Sequence, residues 1–212
     1  KETSIRVLHH AADRGITFID TANIYTGTRA EEIIGEAFEG RRRQDVILAT
    51  KAGMQRGEGP NSRGSSRQHL VKELEGSLAR LRTDYIDLYQ IHAFDPKTPL
   101  EETLRALDDF VTSGKVRYVG ASNYAAWQMM KSLAISDSKG LVRYVSVQPG
   151  YSLADRGAEK ELVPFCIDQG IGIIPYFPLA GGILSGKYTG GAVPEGSLLE
   201  KNPSFAQRMD AA

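Results

Sequence analysis

The stretch YIDLYQIH, residues 85–92, decides how the rest of the chain is read. Its run of apolar residues is nearly continuous, as expected of a strand covered on both faces. Strand alternation puts Ile86, Leu88, Gln90 and His92 on one face, so the strand finishes on a histidine. Helical patterns flank it on both sides. Before it, SSRQHLVKELEGSLARLR (65–82) opens with a Ser-x-x-Gln capping box, Ser65 to Gln68, and lines up Leu70, Leu74, Leu78 and Leu81. After it, TPLEETLRALDDFVTSGK (98–115) has Thr98 as the cap, Pro99 in the first turn and Glu101 as the capping-box partner. Its stripe is Leu100, Leu104, Leu107 and Val111, and Gly114 closes it.

The same alternation extends in both directions. Upstream, the helix TSIRVLHHAADRG (3–15) precedes the strand ITFIDT (16–21), and the helix EEIIGEAFEG (31–40) precedes the strand DVILATK (45–51). Downstream come the strand VRYVGAS (116–122), a helix around AAWQMMKSLAI (125–135), the strand RYVSVQP (143–149), the helix AEKELVPFCIDQG (158–170) and the strand GIIPYF (172–177). Pro164 interrupts that last helix for no reason the sequence supplies. Strands alternating with helices imply parallel strands joined by crossovers. An α/β barrel and an open doubly wound sheet both fit this pattern. The absence of Gly-x-Gly-x-x-Gly after an early strand weighs against a dinucleotide-binding doubly wound sheet. No linker or low-complexity segment divides residues 1–212, which predicts a single domain.

Composition narrows the function classes. The chain has 212 residues, 41% apolar and 25% charged, with 26 basic residues balancing 26 acidic ones. A neutral chain has no overall field to favour nucleic acid or an anionic membrane. The triplet Arg41-Arg42-Arg43 follows a helix end, where cations complement the helix dipole, and reads as structural. The single cysteine, Cys166, excludes an internal disulfide and argues against a thiolate metal site. Lying among Leu162, Val163, Phe165 and Ile167, it reads as a small buried hydrophobe, which suits a reducing, cytoplasmic compartment. No apolar run is long enough to span a bilayer.

Polar residues recur at the strand ends: Asp20, Lys51, His92, Ser122 with Asn123, and Gln148. In a (β/α)8 barrel this rim carries the active site, assembled from several strands. Each residue alone has an ordinary structural reading, and Asp20 with Lys51 is equally a pair bridging neighbouring strands. Taken together with Tyr25, in FIDTANIY (18–25), they form a chemical set. A tyrosine, with a pKa near ~10, is a poor acid at neutral pH, and a neighbouring lysine cation favours its phenolate. An aspartate holds that lysine charged, and a histidine orients a carbonyl. Such a set suits protonation of an oxygen while something else attacks the carbonyl carbon.

These segments resemble the aldo-keto reductase family in order along nearly the whole chain. FIDTANIY resembles its Asp- and Tyr-bearing segment, ILATKAG its lysine strand and DYIDLYQIH its histidine strand. GKVRYVGASN and VSVQPGYSL resemble its nicotinamide-binding segments, and YFPLAGGILSGKY its pyrophosphate loop. The resemblance implies a (β/α)8 barrel that transfers a hydride from NADPH to an aldehyde or ketone. Tyr25 would be the general acid, Lys51 and Asp20 would tune it, and His92 would position the carbonyl. Ser122, Asn123 and Gln148 would hold the nicotinamide carboxamide and Tyr176 would stack on its ring. Leu179, Gly181, Leu184, Ser185 and Lys187 fall in the pyrophosphate loop. The family uses no catalytic metal. NADPH over NADH follows family habit alone, and the physiological substrate and oligomeric state are not legible.

Two departures stand out. Gly150 occupies a position where a larger, often aromatic residue is common, which enlarges a pocket near the ring or does nothing. A barrel of this type takes about 250 residues, so the first and eighth strands are expected to lie outside this chain, truncating the domain at both ends. Alternative readings are a cofactor-binding regulatory subunit like the potassium-channel β subunits, and an inactive fragment. The loop AGMQRGEGPNSRGSS (52–66) either gates the pocket or is a mobile connector.

Overall fold

Strand β1 (Phe18–Asp20) pairs in parallel with β2 (Ile47–Ala52), β2 with β3 (Ile86–Ile91), and β3 with β4 (Val116–Ser122). The computed structural model describes residues 1–188 and 193–201. The chain divides into two compact units, the first ending at Val145 and the second starting at Ser146. In the first unit the strands follow chain order without reversal. A doubly wound sheet reverses its order at a switch point, so sequential parallel strands mark the βα repeat of a barrel.

Each strand of this unit is followed by a helix. Helix α1 (Glu2–Asp13) leads into β1, and α2 (Arg29–Phe38) lies between β1 and β2. Helix α3 (Arg67–Leu81) follows β2, α4 (Leu100–Thr112) follows β3, and α5 (Ala126–Lys139) follows β4. The anticipated stripe Leu70, Leu74, Leu78 and Leu81 is buried throughout, each side chain contributing roughly 2 kcal/mol. In α4, Leu100, Leu104 and Leu107 are buried, whereas Val111 is half-exposed and Phe110 takes its place in the core. Helices α2 and α3 are in close backbone contact at Gly35, where an added Cβ would stand 2.3 Å from the Arg80 carbonyl oxygen.

Two helix starts differ from the sequence expectation by one residue, and Asp95 is the reason. Its carboxylate accepts from the Ser65 backbone N–H (2.9 Å) and from the Thr98 hydroxyl (2.6 Å). Ser65 is therefore held outside α3, and Ser66 becomes the cap, accepting from the His69 N–H. Thr98 likewise does not cap α4. Pro99 occupies the cap position, and Glu101 pairs with Arg105 instead.

Within the arginine triplet Arg43 is structural, by a different route from the helix dipole. Arg43 is 6% exposed and clamps the N-terminal ends of β2 and β3. Its guanidinium donates to Asp87 (2.6 Å), the Val46 and Tyr85 carbonyls and the Thr83 hydroxyl, and lies 4.0 Å over the Tyr85 ring. Asp87 also accepts from the Leu48 N–H (2.9 Å).

Strand β5 (Tyr144–Gln148) enters the second unit, where Ser146 and Val147 pair in parallel with Gly172 and Ile173 of β6. Helix α6 (Leu162–Gln169) begins later than the pattern suggested, after a separate 3-10 turn at Gly157–Glu159. Pro164 thus falls in the first turn, where a missing N–H leaves no intrahelical bond unmade. Cys166 is buried, and burial pushes its thiol pKa up. Among the described residues no helix is long and apolar enough to cross a membrane.

Candidate active site

The register of the first unit brings the strand-end residues to one end of its sheet. Asp20 is level with Ala49, and Lys51 with Gln90. Beyond β1 the ladder continues irregularly, with the Thr21 N–H bonding to the Ala49 carbonyl and the Asn23 N–H to the Lys51 carbonyl. Lys51 is completely buried. Its ammonium donates to Asp20 Oδ2 (2.6 Å) and to the Thr21 carbonyl (2.7 Å). Gln90 donates to the other Asp20 oxygen at 3.0 Å. That fixes the carboxylate in place from two sides.

Tyr25 stands on a 3-10 turn, Tyr25–Thr28, and is 40% exposed. The Lys51 ammonium lies 5.0 Å from its ring centroid, and the His92 ring meets it edge-on with centroids 5.9 Å apart. Asp20, Tyr25, Lys51 and His92 therefore form one cluster. Burial is the main influence on His92, followed by the Lys51 cation, with Asp20 acting in the opposite sense; its pKa is pushed down to about 4. The imidazole is neutral at physiological pH, and its Nδ1 is buried without a hydrogen-bond partner among the described residues.

Ser122 is fully buried at the end of β4. Asn123 adopts left-handed backbone (φ 56°), which asparagine tolerates better than most residues. That turn lets its amide donate to the His92 carbonyl (2.9 Å) and the Ser122 hydroxyl (3.1 Å). Ser122, Asn123 and the histidine strand are thus linked.

The remaining candidates lie in the second unit. Gln148 ends β5 and is buried. Tyr176 pairs edge-on with Phe177, centroids 5.5 Å apart, and bridges to Gly150. An added Cβ at Gly150 would lie 3.1 Å from the Tyr176 ring, so the glycine leaves room for that ring and not for an open pocket. In the segment after it, Leu179, Leu184, Ser185 and Lys187 are exposed and Gly181 is half-buried. Gly181 (φ 67°) and Gly182 (φ 98°) break the 3-10 run Ala180–Ser185, and the Ser185 hydroxyl donates to the Gly182 carbonyl. A Cβ at Gly182 would come within 2.7 Å of the Lys187 ammonium. The lysine cation beside this turn has the sign a phosphate-bearing group needs, whereas the Gly182 and Leu184 N–H groups are both engaged by the Leu179 carbonyl.

Gln90 and the Thr21 carbonyl were not singled out from the sequence, although alternation had placed Gln90 on the face of His92. The loop 53–65 is fastened at several points: Gly64 N–H to the Gly53 carbonyl (2.8 Å), Arg56 N–H to the Ser62 carbonyl (2.8 Å), and Arg56 to Glu73. Among the described residues no group of three or more His, Cys, Asp or Glu side chains is placed to hold a metal ion.

Comparison with known proteins gives this geometry a context. The chain is 44% identical over 197 residues to Uncharacterized oxidoreductase YrpG of Bacillus subtilis, covering 88% of this chain and 60% of that protein. It is 39% identical over 207 residues to Probable voltage-gated potassium channel subunit beta of Arabidopsis thaliana, covering 95% and 63%. It is 37% identical over 204 residues to Versiconal hemiacetal acetate reductase of Aspergillus parasiticus, covering 87% and 59%. The chain spans about three fifths of the length of these relatives. The aldo/keto reductase family profile matches residues 1–210. An α/β chain with parallel strands in sequential order, it belongs to the aldo/keto reductase family.

Proposed function

We propose that this chain carries the proton-donating site of a carbonyl reductase that uses NADPH, with NADH as the alternative, and takes small aldehydes or ketones. The observation that carries this reading is the packing of Tyr25 between the Lys51 ammonium and the His92 ring, with Asp20 paired to Lys51. A bound reduced nicotinamide supplies the hydride that reaches the carbonyl carbon. The Tyr25 hydroxyl gives its proton to the carbonyl oxygen, completing the alcohol. Lys51 stabilises the phenolate left behind, and Asp20 keeps that cation in place. The exposed Tyr25 is then reprotonated from solvent.

His92 contributes as a neutral imidazole. It directs the carbonyl oxygen by a hydrogen bond without placing a second full charge beside Lys51. By the family resemblance, Ser122, Asn123 and Gln148 are assigned to the nicotinamide carboxamide. Tyr176 is assigned to the ring face, and Leu179, Gly181, Leu184, Ser185 and Lys187 to the pyrophosphate. The domain is read as a single barrel and the setting as cytoplasmic, the latter supported by the lone buried thiol of Cys166.

The test is NADPH consumption with an aromatic aldehyde by the protein at full length and by its Tyr25→Phe variant. A rate that collapses on removing only the hydroxyl supports the assignment, and equal rates overturn it. A second reading, a cofactor-binding channel subunit, is supported by the 39% identity to the Arabidopsis protein named as one. Co-purification with an integral membrane partner would favour that reading.

A further inference from the structure

We infer that Glu73 is a positioning residue: one buried carboxylate that joins the Tyr25 segment to the 53–65 loop. The inference rests on the assignment of Tyr25 as the acid and names what sets its position. Glu73 lies in α3 between Leu70 and Leu74 and is 1% exposed. A carboxylate that deep is costly to desolvate unless well partnered. It has two partners, on two different loops. Asn23 Nδ2 donates to Oε2 at 2.7 Å, and Arg56 Nη1 lies 3.1 Å from Oε2 and 3.3 Å from Oε1.

Asn23, fully buried, sits two residues before Tyr25. Its backbone N–H bonds to the Lys51 carbonyl (3.1 Å), and the Tyr25 N–H bonds to the Ala22 carbonyl (3.1 Å). Just beyond, Thr26, Gly27 and Thr28 all take positive φ (49°, 63° and 86°), a costly conformation for the two threonines. Tyr25 is itself 40% exposed, so packing alone does not fix its ring. The anchor next to it is the Asn23 side chain, held by Glu73. The second arm reaches the loop through Arg56, whose N–H also closes that loop onto the Ser62 carbonyl.

The two arms differ in chemistry, which makes them separable. Asn23 needs only an acceptor, which a glutamine retains. Arg56 needs the negative charge, which a glutamine lacks. In the full-length protein, Asn23→Ala and Glu73→Ala should lower kcat at least about tenfold, with KM moving less than about threefold. Both should speed amide exchange at residues 21–27. Glu73→Gln should keep kcat and that exchange near wild type, yet speed tryptic cleavage at Arg63 as Arg56→Ala does. Asn23→Ala should leave that cleavage unchanged.

Wild-type kcat in Asn23→Ala, with Tyr25→Phe inactive, would overturn the inference while sparing the assignment of Tyr25. An active Tyr25→Phe would remove that assignment; the exchange and cleavage patterns, which need no turnover, still decide the joint. If Glu73→Ala fails to fold, Asn23→Ala and Glu73→Gln carry the test. Equal losses in Glu73→Gln and Glu73→Ala on every readout would reduce Glu73 to a general stabiliser and also overturn it.

Discussion

Lys51 and Asp20 meet at 2.6 Å, yet their surroundings are unequal: the Lys51 side chain has no exposed surface and Asp20 keeps 29% of its own. The cation depends on its partner more than the anion does. Asp20→Asn leaves a buried ammonium with one carbonyl and a neutral amide, and should cost about 3 kcal/mol of stability. The double variant Asp20→Asn/Lys51→Met removes the uncompensated charge and should be more stable than Asp20→Asn alone. Urea denaturation of the wild type, both single variants and the double variant measures that coupling.

His92 makes the protein sensitive to mild acid. Its pKa, about 4 in the folded state against 6.5 for an ordinary histidine, means that the unfolded chain binds its proton first as pH falls. Its contribution is intact above pH 6.5, is lost progressively between 6.5 and 4, and levels off below. The full loss is about 3 kcal/mol. Stability measured against pH for the wild type and His92→Asn should diverge only in that window. A rate profile with a limb near 6.5 assigned to His92 would contradict the folded-state value.

The Arg43 clamp should be intolerant even of lysine. Arg43→Ala removes the only cation bonded to Asp87 among the described residues and the donor to three further acceptors, an expected loss of about 3 kcal/mol. Arg43→Lys cannot serve all of them or lie flat over Tyr85, and should recover less than half of that. Because the clamp is at the N-terminal ends of the strands, the kcat of either variant should match wild type at temperatures where it is folded. Thermal melts alongside rates provide the check.

Gly150→Ala tests the role assigned to Tyr176. The new methyl would be 3.1 Å from the ring, and Gly150 does not have left-handed backbone, so the ring must give way rather than the chain. Affinity for NADPH should fall about fivefold, near 1 kcal/mol, through the displaced ring. Fluorescence titration of NADPH reads the effect, and unchanged affinity would separate Tyr176 from the cofactor.

The sequence conveyed the order of elements because the strands are apolar runs that end on polar residues, and because α3 and α4 repeat leucine at helical spacing. What it concealed was set by side-chain contacts that no local periodicity signals. Asp95 displaced both helix caps by claiming Ser65 and Thr98, 30 and 3 residues away. Glu73 and Glu31 look like solvated helix positions but are buried, because Asn23, Arg56, Thr50 and Arg80 reach them from other elements. Gln90 was on the correct face by alternation, but its bond to Asp20 spans 70 residues. Pro164 became intelligible only once the start of α6 was known.

The separation of the Arg43 clamp from the Tyr25 cluster bears on how such proteins diversify. Strands β2 and β3 are fastened at one end by Arg43, Asp87 and Leu48 and carry Lys51 and His92 at the other. Loops at the Lys51–His92 end can lengthen, shorten or change composition without loosening the fastening. If the Tyr25 cluster is the proposed reductase site, substrate preference can then drift between descendants while the supporting frame stays the same, and a designer exchanging the 53–65 loop for a foreign one would keep the clamp and re-select only the joint at Glu73.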